Sequence, residues 1–281
     1  MNREFAPAKI NLCLHVTGQR ADGYHLLDSL VLHVDVGDFI SGVFHDALSL
    51  ELMGPTAAGV PRDKDNLVLR AARLLSTKHG AELTLEKHLP SAAGIGGGSS
   101  DAAATVRLCA RLWGLPVPAL EDLAKLGADV PVCMEHDLTR MRGIGEHLDR
   151  LGPPPEFYLV LVNPRVSVAT PDVFRALESK TNSELRGHLP VGADSEGWVK
   201  WLAQQRNDLE RPARKICPVI DEVLEALSAT QEAMLVRMSG SGATCFALYP
   251  NRAAADAASE LISEAHQGWW VRPCQSYFSQ H

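Results

Sequence analysis

The chain has 281 residues, 46% hydrophobic and 22% charged, a balance that suits two ordinary soluble domains or one large one. Its formal net charge is −7 and it carries no basic block or basic-aromatic stripe, which argues against nucleic acid as a partner. Any anionic ligand must therefore be held by local groups against the overall field. No apolar run is long enough for a membrane helix, and "MNREFAPAKINLCLHV" lacks a charged leader followed by an apolar stretch, so a cytoplasmic protein with no membrane partner is expected. Cys13, Cys109, Cys133, Cys217, Cys245 and Cys274 are scattered, without C-x-x-C or zinc spacing, and read as reduced core thiols. His15, His25, His33, His45 and His136 are not spaced as metal ligands either.

In chain order, "KINLCLHV" and "LDSLVLHVDV" predict strands joined by the polar loop "TGQRADGYH", and "SGVFHDALSLELM" predicts a hairpin. "DNLVLRAARLLSTKHG" predicts a helix capped by Asp65 or Asn66, with Leu67, Val68, Ala71, Leu74 and Leu75 on one face and Gly80 at its end. "AELTLEK" alternates as a strand, "DAAATVRLCARLWG" is a second helix stopped by Gly114 and Pro116, and "VPALEDLAKLG" a short third. Three prolines in "GPPPE" mark a boundary, giving domains of about 1–150 and 151–281. Beyond it come a buried strand "FYLVLV", a helix "TPDVFRAL" with Thr170 at the cap and Pro171 at the first helical position, a helix "PVIDEVLEAL", a strand-turn-strand "AMLVRMSGSGATCFALYP", a helix "RAAADAASELISEA" and a closing strand "WWVRP". Strands and helices in this alternation predict an α/β or α+β protein in two parts.

The most informative stretch is "LPSAAGIGGGSSDAAAT", where a strand hands over to a helix. A helix starting near Ser100 or Asp101 leaves its first N–H groups without internal partners, and these together with the helix dipole favour an anion. Gly94, Gly96, Gly97 and Gly98 let the backbone curl inward and keep side chains away from a phosphate, while Ser99 and Ser100 add hydroxyls. One or two glycines would serve a plain turn; four followed by Ser-Ser point to a polyphosphate. The stretch is neither G-x-x-x-x-G-K-[ST] nor G-x-G-x-x-G, since no lysine follows and Ser99 stands where the last glycine belongs.

With "PAKINL" and the second glycine-rich turn "MSGSGATCFALY", this loop resembles the three motifs of the GHMP kinases. "TGQRADGYH", "DNLVLRAARLL", "LGADVPV" and "GIGE" in this order are similar to a branch of that family. Its acceptor is a sugar alcohol carrying a cytidine diphosphate, on the non-mevalonate route to isoprenoid precursors. The resemblance covers nearly all of the first 150 residues and thins afterwards to "VSVATPDVF", "NDLE" and "SGSGAT". It implies a two-domain α+β fold: an N-terminal ribosomal-protein-type domain with a left-handed crossover, and a C-terminal ferredoxin-like domain. It implies ATP as phosphoryl donor, with Mg²⁺.

The resemblance also assigns roles. Asp129 in "GADVPV" is the expected proton acceptor, with Lys9 of "PAKIN" beside it to steady the developing charge. Pro90, Ser91, Ala92, Ala93, Gly94, Ile95, Gly96, Gly97, Gly98, Ser99 and Ser100 match the nucleotide loop; Asn66, Leu67 and Lys87 match adenine recognition, and Ser100 is the candidate Mg²⁺ ligand. Tyr24 and Phe174 are the expected stacking faces for cytosine and His25 the reader of its edge. Asn11 and Thr170 fall to the sugar alcohol or its diphosphate, and the turn from Ser239 and Gly240 to Gly242 to the substrate phosphates. Read locally, Asn66 and Thr170 are also ordinary helix caps. Two departures stand out: Ala92 and Ala93 occupy positions where glycine is common in the family, and "CMEHDLTRMRGIGE" is unusually charged, so Glu135 and His136 are given no role. The alternatives are a GHMP kinase for another alcohol, such as homoserine or mevalonate, and a nucleotide-binding protein without catalysis. "RADGYH" speaks against the first, and retention of Lys9 and Asp129 against the second.

Overall fold

A computed structural model describes residues 2–278 of the chain. The chain divides into two compact units, Met1–Lys9 with Val36–Ser91 and Gly96–Glu135, and Ile10–Asp35 with Ala92–Ile95 and His136–His281. The first two strands, β1 (Asn2–Gln19) and β2 (His25–His45), pair with each other and contribute residues to both units.

In the first unit, β2 is followed by β3 (Leu48–Met53), α1 (Leu67–Leu75), β4 (Gly80–Glu86), α2 (Gly97–Trp113) and α3 (Leu120–Ala124). The expected hairpin over "SGVFHDALSLELM" is not formed. β4 lies between β2 and β3, antiparallel to β2 from Phe39↔Glu86 to His45↔Gly80 and parallel to β3 from Leu48↔Ala81 to Met53↔Glu86. The two residues joining β2 to β3 arch over the start of β4. A Cβ on Gly80 would come within 2.5–2.7 Å of His45, Asp46 and Ala47 backbone atoms, so only glycine lets the chain pass. The Gly80 expected to end a helix therefore opens a strand. α1 packs on α2, burying Val68, Ala72, Ala104, Leu108 and Cys109 with Ile40, Leu83 and Leu85 of the sheet. α2 is rich in alanine on its buried positions, which lets it lie close to its neighbours.

In the second unit, the first half of β2 pairs antiparallel with β5 (Thr139–Gly143), and β5 with β6 (His147–Arg150). A second sheet has the order β10-β7-β9-β8, antiparallel throughout, formed by β7 (Tyr158–Asn163), β8 (Leu235–Met238), β9 (Cys245–Tyr249) and β10 (Trp270–Gln275). Between β7 and β8 run α4 (Thr170–Arg175), α5 (Ser195–Leu202), α6 (Glu210–Ile216) and α7 (Val219–Ser228); α8 (Arg252–Ala265) joins β9 to β10. The core helices add to a βαββαβ plan with sheet order 4-1-3-2, the ferredoxin-like arrangement expected of this half. Its core joins Val160, Val162, Ile220, Val223, Ala247 and Ile262 to Leu14 and Val16 of β1. Among the described residues no helix is long and apolar enough to cross a membrane, and all six cysteines are buried thiols.

Candidate active site

In the first unit, Lys9 lies on β1 with its side chain 4% exposed, and its Nζ sits 2.9 Å from Asp129 Oδ2. Asp129 occupies the turn after α3 and is 34% exposed, so its carboxylate is held on one side and open on another. Arg107, which sequence reading passed over, braces this pair's supports. From α2 it donates to Phe5 O on β1 and to Cys133 O and Met134 O just past Asp129, and its Nε pairs with Glu4.

α2 starts at Gly97, three residues earlier than expected, with Gly96 at its N-cap in the left-handed region (φ 65°). The first intrahelical bond runs from Ser100 N to Gly96 O at 2.8 Å, so the N–H groups of Gly97, Gly98 and Ser99 precede it and point out of the helix end. A Cβ on Gly96 would fall 3.0 Å from Lys9 Cε and 3.1 Å from Lys9 Cβ. The glycine thus lets the loop close down on the lysine.

Two of the assigned residues in this unit have partners inside the protein. Ser100 is fully buried and its hydroxyl donates to Pro7 O at 2.7 Å, which ties α2 to β1 and leaves only its oxygen lone pairs for the expected Mg²⁺. Among the described residues no group of three His, Cys, Asp or Glu side chains forms a metal site. Lys87 is buried and spends its ammonium on two carboxylates, Asp38 and, at 2.8 Å, Asp101. It supports the loop from within, about where a Gly97 Cβ would come to 3.6 Å of its Nζ. Asn66 caps α1 by accepting from Val68 N at 2.8 Å, and its amide donates to Pro61 O, so its polar atoms are used locally. Leu67 meets the loop: a Gly98 Cβ would lie 3.2 Å from its Cδ1.

The Lys87 cluster has a titration consequence. Burial, with the Asp38 charge adding to it against the pull of Lys87, pushes the Asp101 carboxyl far above the usual carboxylate range, to about 8, and its Oδ1 has no partner. Burial alone would lower Lys87, but Asp101 and Asp38 outweigh it and raise its pKa. Because Asp101 is raised on folding, its contribution is complete below the usual carboxylate range and is lost as pH rises toward about 8. Asp101→Asn is expected to flatten the fall of melting temperature between pH 5 and 8; parallel wild-type and variant curves would remove Asp101 as the titrating group.

In the second unit, Asn11 Nδ2 donates to Ser29 Oγ at 2.7 Å and Asn11 N to Ser239 Oγ at 3.1 Å. Ser239 is fully buried and donates in turn to Gly94 O at 3.0 Å, which makes it a strut. Gly94 (φ 73°) has no room for a Cβ, which would lie 2.5 Å from Ser239 O. Thr244 N donates to Ala93 O at 3.1 Å, and Ala92 takes a left-handed φ of 49°, a conformation glycine would adopt at less cost. The segment Ala92–Ile95 and the turn Ser239–Gly242 therefore lock together, whereas Pro90, Ser91 and Gly96–Ser100 belong to the first unit. Gly240 (φ 55°) faces Gly94 in the same way.

Thr170 opens α4 without capping it; its hydroxyl bonds the Ser241 hydroxyl at 2.8 Å. Tyr24 and Phe174, the expected faces for a cytosine, differ in their surroundings. His25 stacks on Phe174, with ring centroids 4.7 Å apart and planes at 24°, while Tyr24 is 61% exposed. Burial, then the charge of Lys180, lowers the pKa of His25, which leaves a neutral ring at neutral pH, and its Nε2 is buried without a partner.

Residues 66–137 match the model of the GHMP kinases N terminal domain, and residues 195–267 that of the GHMP kinases C terminal. The chain belongs to the GHMP kinase family. This GHMP kinase is 55% identical over 276 residues to a 4-diphosphocytidyl-2-C-methyl-D-erythritol kinase of Cereibacter sphaeroides, covering 98% of this chain and 99% of that protein. It is also 55% identical over 269 residues to the like-named protein of Dinoroseobacter shibae, covering 96% and 93%. A crystal structure of 4-(cytidine 5'-diphospho)-2C-methyl-D-erythritol kinase matches it with a TM-score of 0.80 at 31% identity, over 98% of this chain and 100% of that one. The α+β GHMP kinase architecture expected from the motifs is the one found.

Proposed function

We propose that this GHMP kinase transfers the γ-phosphoryl group of ATP to the 2-hydroxyl of 4-diphosphocytidyl-2-C-methyl-D-erythritol, in the cytoplasm, on the non-mevalonate route to isoprenoid precursors. The observation that carries the reading is the Lys9–Asp129 pair at 2.9 Å beneath Gly96, in a chain 55% identical over nearly its full length to kinases of that name. The acceptor oxygen bonds to the γ-phosphorus as the bond to the β,γ-bridging oxygen breaks, and the hydroxyl proton passes to Asp129. Lys9 offsets the negative charge that gathers at the attacking oxygen. The N–H groups of Gly97, Gly98 and Ser99 receive phosphate oxygens at the N-terminus of α2.

Leu67 is assigned to the adenine; Asn66 and Lys87 act on it through α1 and α2. Tyr24, His25 and Phe174 are assigned to the cytosine, with the neutral His25 ring able both to donate and to accept. Thr170 and Gly240 are assigned to the acceptor's diphosphate, and Asn11 and Ser239 act by holding the Gly240 turn. Mg²⁺ would enter with the nucleotide and offset charge on its phosphates. The two family models match on either side of residue 150, which supports a boundary there in sequence between 1–150 and 151–281, while in space residues 10–35, 92–95 and 136–150 go with the second half. The test is ADP release across a panel of alcohols. The expected result is turnover with the cytidine-diphosphate acceptor and little with homoserine, mevalonate or the methylerythritol phosphate lacking cytidine. Preference for one of those alcohols would overturn the substrate, and ADP release with none would overturn the activity.

A further inference from the structure

We infer that Asn207 is a positioning residue that aims the backbone N–H of Ser241 at a phosphate oxygen. The identity of that oxygen as the acceptor's diphosphate rests on the proposed function. Asn207 is 8% exposed and sits just past α5, where its backbone bridges to Leu14 of β1; Leu14 N donates to Arg206 O at 2.9 Å and Asp208 N to Leu14 O at 2.8 Å. Its side-chain amide is fully used: Nδ2 donates to Met238 O and to Gly240 O, each at 2.8 Å, and Oδ1 accepts from Leu209 N at 3.0 Å. One rigid side chain thus draws two carbonyls of the Ser239–Gly242 turn to itself.

The geometry of the turn follows. In a planar trans peptide the C=O and the next N–H point in opposite directions. With Met238 O on Asn207, the Ser239 N–H faces the other way and donates to Thr244 O at 2.9 Å. With Gly240 O on Asn207, the Ser241 N–H is likewise turned away from it. Among the described residues that N–H donates to no protein acceptor, although Ser241 is only 6% exposed. Buried backbone donors are rarely left unmet, so an acceptor from outside the protein is called for. The neighbouring hydroxyls of Ser241 and Thr170, paired at 2.8 Å, offer the same acceptor further donors. Loop conformation cannot drift here, since Gly240 at φ 55° lies against Gly94 O.

The test is an amide-resolved NMR titration with cytidine 5'-diphosphate, run beside steady-state kinetics on wild type and Asn207→Asp. The variant keeps the shape and the Oδ1 acceptor but turns a carboxylate on two carbonyls. Expected is a downfield shift of the Ser241 amide in wild type that is lost in the variant, with acceptor KM raised tenfold or more and ATP KM within twofold. A wild-type Ser241 amide that does not move overturns the inference, whether or not the variant folds. So does a folded variant with unchanged acceptor KM. A rise in ATP KM alone would move the oxygen to the nucleotide and overturn the acceptor assignment. If wild type shifts Ser241 yet turns over no cytidine-diphosphate acceptor, the proposed substrate falls while the role of Asn207 stands.

Discussion

Asp129→Asn is expected to lower kcat about 10²–10⁴-fold, the usual share of a positioned general base. The substitution keeps the volume and one oxygen toward Lys9 Nζ, so the 2.9 Å contact survives as a hydrogen bond to a neutral group. What disappears is the carboxylate proposed to take the hydroxyl proton. Binding of ATP and acceptor, measured calorimetrically, should stay within a few-fold of wild type, because the N–H groups of Gly97 to Ser99 proposed to meet phosphate are untouched. The melting temperature should fall, since the buried Lys9 ammonium loses a charged partner while Asp129 itself is a third exposed. A variant with near-normal ADP release would remove Asp129 from the chemistry, and Lys9 would then be a structural counter-charge only.

The second large effect is expected at Gly96, and its neighbour serves as the control. Gly96→Ala places a side chain in the left-handed region, at a cost of about 1–2 kcal/mol, and its Cβ meets Lys9 at 3.0–3.1 Å. Lys9 must yield, and its hold on Asp129 yields with it. The expected outcome is at least a tenfold loss of kcat together with a lower melting temperature, by about 2–4 °C per kcal/mol for a chain of this size. Gly97→Val differs in kind: Gly97 has an ordinary helical backbone and its nearest Cβ contacts lie at 3.6 Å. The extra methyls should crowd an incoming phosphate, raising ATP KM while kcat at saturating ATP and the melting temperature stay close to wild type. If both variants behaved alike, the Gly96–Lys9 contact would not be what couples the loop to the Lys9–Asp129 pair.

The helices were readable where sequence carries local punctuation. Gly114 ends α2, Asn66, one of the two residues expected there, caps α1, and Val68 and Ala71 mark the buried face of α1. Strand pairing was not readable in the same way, because alternation identifies a strand and not its neighbour. Nothing in "SGVFHDALSLELM" says that β4 will insert between its halves; the only trace is Gly80, which looks like a helix stop and is a crossing point. The β5–β6 hairpin was hidden by its charge. Arg140 and Arg142 mimic a solvent loop, while the structure pairs Arg140 with buried Asp28 and Arg142 with Asp149. At the candidate site, Lys9 and Asp129 stood out through the resemblance alone, since each is locally an ordinary charge. Ser100, Lys87, Asn66, Asn11 and Ser239 are assigned residues whose polar atoms turn out to have partners inside the protein. Asp38, Arg107 and Asn207 were invisible as support because their partners lie far away in the chain.

The entry of β1 into the core of the second unit bears on how the chain is made. Leu14 and Val16 are buried among Val160, Val162 and Ala247, and the Val16 N–H waits for Asp208 Oδ2, 192 residues downstream. On a ribosome adding about 5–20 residues per second, that partner arrives roughly 10–40 s after the strand has been synthesised. During the wait, "NLCLHV" is an apolar edge without its cover, a natural target for a holding chaperone. The same timing forbids a clean bisection of the gene: a fragment beginning at the triple proline would lack the strand that completes its own interior.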